Sequence, residues 1–170
     1  MLGFVIGTDL TYNIVEEVLG GSIDGVSISA AAVSGGRAGS KTSGAVNLFL
    51  ANNPYATGVK KSDTTPGGPL IMGKYRLKTH ESTPNWIRLL PFTENYMHKR
   101  DGFAIHGRGK RGSDGCIVPT DFAVVQQLHS LVAARERSGG AAPTLAVVAI
   151  GDLDAVDRRL KRLEAWSRTA

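Results

Sequence analysis

Residues 101–119 read DGFAIHGRGKRGSDGCIVP. Phe103-Ala104-Ile105 is a short apolar strand that leads directly into His106. A glycine-rich loop follows, and Cys116 then opens a second apolar stretch, Ile117-Val118, that ends at Pro119. Short apolar runs bounded by glycine and proline are the mark of strands and turns. Ten positions separate His106 from Cys116, a span that a hairpin can close so that the two side chains meet at one end of a sheet.

The pattern extends outward from this segment. On the N-terminal side, residues 3–6, 26–33 and 47–51 are apolar runs cut by Gly, Ser, Asn and Pro, and read as strands. Residues 34–40 and 52–68 read as long loops, which in compact domains are often functional. Residues 69–77 (PLIMGKYRL) end in strand-like alternation, with Tyr75 and Leu77 on one face, and residues 86–90 are a further strand candidate. On the C-terminal side two helices are expected. The first starts at Thr120 as N-cap, presents Phe122, Val125, Leu128 and Val132 as one apolar face, and stops at Gly139-Gly140. Residues 144–150 (TLAVVAI) read as a buried strand. The second helix follows Asp152 with Leu153, Val156, Leu160, Leu163 and Trp166 as its core stripe. Trp86 and Trp166 are both expected in the core.

The chain of 170 residues fits one domain, residues 1–170, and 42% hydrophobic residues suffice for a core. Its 21 glycines favour a turn-rich β fold over a helical bundle. The expected class is α+β, a β-rich, sandwich-like core with two C-terminal helices. The formal charge of +5 suits an anionic partner. The one cysteine excludes an internal disulfide. The N-terminal sequence has no basic run before its apolar residues and no stretch of 18 apolar residues exists, so neither a secretory signal nor a membrane span is expected. Synthesis in the cytoplasm, with export by a dedicated machine, is the matching expectation.

Cys116 and His106 are the candidate nucleophile and base. A free thiol titrates near ~8.5, so little of it is thiolate at neutral pH. A neighbouring imidazole either takes the proton or, as imidazolium, holds the thiolate as an ion pair. Arg108, Lys110 and Arg111 add positive potential. Gly115 lets backbone approach a substrate, the N–H of Cys116 is placed to stabilise an oxyanion, and Ser113 can bond within the turn or to substrate. Other readings fit less well. His80, His98, His106 and Cys116 could supply four zinc ligands, but their spacing matches no short zinc pattern. The run Gly107-Arg108-Gly109-Lys110-Arg111-Gly112 lacks the Ser or Thr that a phosphate loop places after its lysine. It also lacks the interleaved aromatics of a single-strand nucleic-acid site, so no nucleic-acid partner is expected.

Phe103-Ala104-Ile105-His106-Gly107, followed by Ser113-Asp114-Gly115-Cys116-Ile117, resembles the signature of L,D-transpeptidase catalytic domains. The short spacing is most similar to the type VI secretion effectors with L,D-transpeptidase and L,D-carboxypeptidase activity. Gly68-Pro69-Leu70-Ile71-Met72-Gly73-Lys74-Tyr75, Arg88-Leu89-Leu90-Pro91, Asn95-Tyr96-Met97 and Val33-Ser34-Gly35 resemble further pieces of that subfamily, and the similarity covers residues 26–120. The resemblance implies Cys116 as nucleophile, His106 as base with its ring oriented by a backbone carbonyl, and Ser113 and Gly115 in the catalytic turn. The candidate substrate contacts are Gly107, Arg108, Arg111, Asp114 and Tyr75. The implied substrate is the peptidoglycan stem tetrapeptide, cut or exchanged before D-Ala, with no cofactor and no metal. A secreted antibacterial toxin acting in the periplasm, with an immunity protein as partner, is the implied setting. Two positions depart from the family: Asp114 stands where many members have His, and Val118 where they have Arg. An acid near the thiol disfavours thiolate, and Arg108 or Arg111 would have to take the substrate carboxylate. A cell-wall peptide-binding module without turnover, or another cysteine amidase or acyltransferase, are the alternatives.

Overall fold

In the computed structural model, which describes residues 7–38, 45–107 and 111–170, eight strands close into one barrel. The strands are β1 (Leu10–Asn13), β2 (Val18–Ile23), β3 (Val26–Ser34), β4 (Gly73–Thr79), β5 (Ile87–Pro91), β6 (Ala104–Ile105), β7 (Ile117–Pro119) and β8 (Thr144–Val148). Around the barrel their order is β1-β2-β3-β7-β6-β5-β4-β8. β1 to β3 form an antiparallel meander. Asp24 and Gly25 make its tight second turn, both at positive φ (50° and 77°), the conformation that lets a two-residue turn follow strand twist. β8 lies parallel to β1 and antiparallel to β4, and this double pairing closes the sheet. The sandwich expected from the sequence is therefore a closed barrel, an arrangement that leaves no exposed sheet edge.

The core follows from the alternation along these strands. Leu10, Tyr12, Leu19, Tyr75, Leu77, Ile87, Ile105, Ile117 and Leu145 are each fully buried, and with their neighbours form one cluster. Helix α1 (Phe122–Arg137) adds Val125, Leu128 and Val132 to it, the apolar face expected from its sequence. α1 packs against β4 and also against β3 and β7. Those strands stand on opposite sides of the ring, so the helix lies across a barrel opening and not along the wall.

Several local expectations are corrected. The N-cap of α1 is Asp121, whose carboxylate accepts from Ala123 N; Thr120 stays with the sheet, its N–H donating to Ala31 O at 2.9 Å. Residues 47–51 form a hydrogen-bonded turn, with Ala51 N bonded to Asn47 O, because Asn47 caps the turn through its own side chain. The strand expected over residues 3–6 lies outside the described residues. Helix α2 (Leu153–Thr169) starts where expected, with Asp152 as N-cap, but only Val156 of its apolar stripe is buried and Trp166 is 70% exposed. α2 is tied down instead by Arg159, which donates to Glu17 and to the carbonyl of Asn52, both at 3.2 Å. No helix among the described residues is long and apolar enough to cross a membrane.

Candidate active site

β6 and β7 run side by side in parallel, with Ile105 opposite Ile117. The expected hairpin is thus a crossover that returns the chain in the same direction. Its effect on the side chains is the one that matters. Ile105 and Ile117 point into the core. Side chains alternate along a strand, so the next residue after Ile105 and the one before Ile117 emerge on the other face together. These are His106 and Cys116, and both line one open cleft of about 430 Å³. The backbone N–H of His106 donates to Ile117 O at 3.2 Å and locks this register.

The turn before Cys116 is built around two buried serines. Ser113 Oγ donates to the carbonyl of Cys116 at 2.5 Å and accepts from the N–H groups of Gly35 at 3.1 Å and Gly115 at 3.2 Å. Ser34 Oγ donates to the carbonyl of Gly115 at 3.0 Å and accepts from Leu70 N at 2.9 Å. Ser113 therefore acts within the turn, and the Gly115 N–H is occupied by it. Ser34 was legible only as part of the Ser-Gly resemblance, yet it fixes the carbonyl immediately before the thiol.

Arg100 lines the cleft as well. It belongs to a polar run, His98-Lys99-Arg100, but is only 5% exposed. Its guanidinium donates to the carbonyls of Pro69 at 2.8 Å, Gly68 at 2.7 Å and Asp114 at 3.0 Å, and also to that of Thr57. A buried cation is tolerated where its donors are matched in this way. Arg100 also explains Gly115, which has φ 128°. A Cβ there would come within 2.5 Å of Arg100 Nη2 and of the Phe103 ring.

The His106 ring lies flat against Trp86, with centroids 3.9 Å apart and planes 2° from parallel. This indole packs against one face of the imidazole. Trp86, expected as plain core, is half-buried and lines the cleft. Burial holds the imidazole below its ordinary pKa. Burial likewise pushes the Cys116 thiol up. The Asp114 carboxylate adds to that rise, while the Ala104 N–H and the charges of Lys61 and Arg100 oppose it. Cys116 Sγ is 4.0 Å from Gly102 O.

The remaining expected contacts divide. Asp114 lines the cleft, with its carboxylate accepting from Gly67 N at 3.2 Å and paired with Arg37 at 3.3 Å and Lys61 at 4.0 Å. Arg37, Lys60 and Lys61 supply the cationic side of the cleft. Arg111 is exposed and its carbonyl accepts from Ala38 N. Arg108 lies outside the described residues. Gly107 backs onto α1, where a Cβ would stand 3.2 Å from Val125. Tyr75, expected at the substrate, is fully buried instead, its hydroxyl donating to Ile71 O at 2.6 Å, because β4 turns that face into the core. Of the four candidate zinc ligands only His106 and Cys116 share the cleft. His80 sits with Arg88 and accepts from Ser82 and Thr83 N–H, and His98 packs against Tyr96. Among the described residues no three His, Cys, Asp or Glu side chains are grouped to hold a metal ion.

No family model, curated protein or solved structure matches this chain.

Proposed function

We propose that this protein is a cysteine acyl-transfer enzyme that acts on the stem peptides of peptidoglycan, as an L,D-carboxypeptidase or L,D-transpeptidase. The observation that carries the proposal is the shared cleft: one thiol and one imidazole on one face of β6 and β7, behind a turn locked by two buried serines. Arg37, Lys60 and Lys61 along the same cleft suit a substrate that ends in a free carboxylate.

The electrostatics define the order of events. With the imidazole held low and the thiol held high, the resting pair at neutral pH is neutral His106 and protonated Cys116. Proton transfer then accompanies attack, with His106 as general base. Sγ bonds to the scissile carbonyl carbon, and its proton passes to His106. The tetrahedral oxyanion is stabilised by the N–H of Cys116. It collapses with loss of the C–N bond, and the departing D-Ala amine takes the proton from His106. The thioester is opened by water or by an amine, which gives its proton to His106, and the thiol recovers that proton as the C–S bond breaks. Water yields a carboxypeptidase, an amine an exchange or a cross-link. No cofactor enters this sequence.

The wall substrate places the site of action in the periplasm of a target bacterium, reached through a type VI or similar secretion machine. A producing cell then needs an immunity protein that covers the cleft. A second reading has one observation in its favour. The raised thiol beside Asp114 suits a module that binds stem peptide without turning it over. Acid-quenched incubation with stem tetrapeptide, followed by intact-protein mass spectrometry, separates the two. A thioester mass on Cys116 supports the enzyme. Bound peptide without adduct or product supports the binding module. Neither outcome leaves another cysteine amidase or acyltransferase as the reading.

A further inference from the structure

Beside the thiol cleft lies a second and larger cavity, about 1010 Å³ in volume. Arg37, Lys61 and Asp114 line both, so the two are halves of one groove joined at that charged saddle. The far half is walled by Trp166 and Leu163 of α2 and by Phe49 of the turn over residues 47–51. This accounts for the uneven burial of α2. Its stripe of Leu153, Val156, Leu160, Leu163 and Trp166 is continuous in sequence, yet the helix buries Val156 and leaves Trp166 70% exposed at the groove. The stripe lies against the domain at one end and forms a groove wall at the other. Short hydroxyl and amide side chains, Ser62, Thr64 and Asn47, line the same cavity.

A flat apolar platform with short hydrogen-bonding groups in the same cavity is the chemistry that grips a sugar ring. The indole covers the C–H face, and the hydroxyls pair at the rim. We infer that this half of the groove is a glycan subsite, in which Trp166 stacks on an amino-sugar residue of the strand that bears the stem peptide. The inference rests on the cell-wall reading above and adds to it. The preferred substrate is polymeric glycan with its peptide attached, the strand lying past Trp166 while the stem crosses the Arg37–Lys61 saddle to Cys116.

The test uses full-length Cys116→Ala protein, so that binding is read without turnover, and glycan strands stripped of their peptides as the probe. Trp166 is exposed, so its replacement leaves the fold intact. Binding by the parent, weakened at least about fivefold in Trp166→Ala and kept near the parent value in Trp166→Phe, is expected. Absence of binding by the parent, or equal binding by Trp166→Ala, overturns the inference. So does a dimer, seen by light scattering, that dissolves in Trp166→Ala while no glycan binds, since α2 would then be a self-association face. Glycan binding by a protein that forms no thioester on stem peptide supports this subsite and counts against acyl transfer alone.

Discussion

Trp86 and His106 lie ring on ring, 3.9 Å apart and 2° from parallel. Trp86 in turn meets the edge of His80 at 6.5 Å, and His80 is anchored by the N–H groups of Ser82 and Thr83. The imidazole is thus oriented by a packed face, and that same face takes it out of water. Trp86→Ala is expected to lower kcat/KM about tenfold or more, because a loosely held base is misplaced in most encounters. It should also move the acid limb of the pH–rate profile upward, as the re-hydrated imidazole regains its ordinary pKa. Trp86→Phe should keep most of both properties. An acid limb unchanged in Trp86→Ala contradicts the positioning role.

His106→Ala is expected to slow acylation by about 10²–10⁴-fold, the usual worth of a placed base. A base works above its pKa and fails as pH falls through it. Since burial lowers that of His106, the parent should keep its activity to a pH below the ordinary imidazole value, and the variant should lose this limb altogether. Stopped-flow acylation across pH checks both.

Asp114 raises the thiol pKa through its charge. Asp114→Asn keeps an oxygen for the Gly67 N–H but removes that charge and releases Arg37 and Lys61. The thiol pKa should fall and alkylation at neutral pH should quicken. Burial is the larger cause of the raised pKa and persists, so the gain should stay below about tenfold. Slower alkylation in the variant contradicts the electrostatic assignment.

Arg100→Met is expected to destabilise the fold by about 2–5 kcal/mol, since the buried carbonyls of Gly68 and Pro69 and the part-buried one of Asp114 lose their donor. For a domain of this size that is a fall in Tm of roughly 4–20 °C. Calorimetry should show it. A Tm within about 1 °C of the parent value contradicts the structural role.

The meeting of His106 and Cys116 in one cleft was legible because it depends on short-range pattern. An apolar strand ends at His106 and another begins after Cys116, and the alternation of each puts both on one face whichever way the strands run. The direction itself was not legible, and a hairpin was expected where β6 and β7 are parallel. Barrel closure escaped for a similar reason. It rests on β8 pairing with β1 across most of the chain, as in the bond from Thr144 N to Asp9, 135 residues apart. Local alternation reads the same in a sandwich and a barrel. Arg100, three residues before Phe103, read as a surface cation that could line a cleft; it does line the cleft, but its burial was not legible, because the carbonyls that hold it come together only in the folded chain. The stripe on α2 was expected as core, yet only Val156 is buried, because periodicity does not say what covers an apolar face.

The central claim is that Cys116 performs acyl transfer on stem peptides. Its most direct test is digestion of purified muropeptides by the parent and by Cys116→Ala, with products read by mass spectrometry. Loss of the thiol should cost at most about 1–2 kcal/mol in stability, so the variant should remain folded. The parent should convert tetrapeptide stems to tripeptides, or exchange their terminal D-residue, and Cys116→Ala should do neither. Intact tetrapeptides after treatment with the parent, or equal conversion by the folded Cys116→Ala protein, would contradict it.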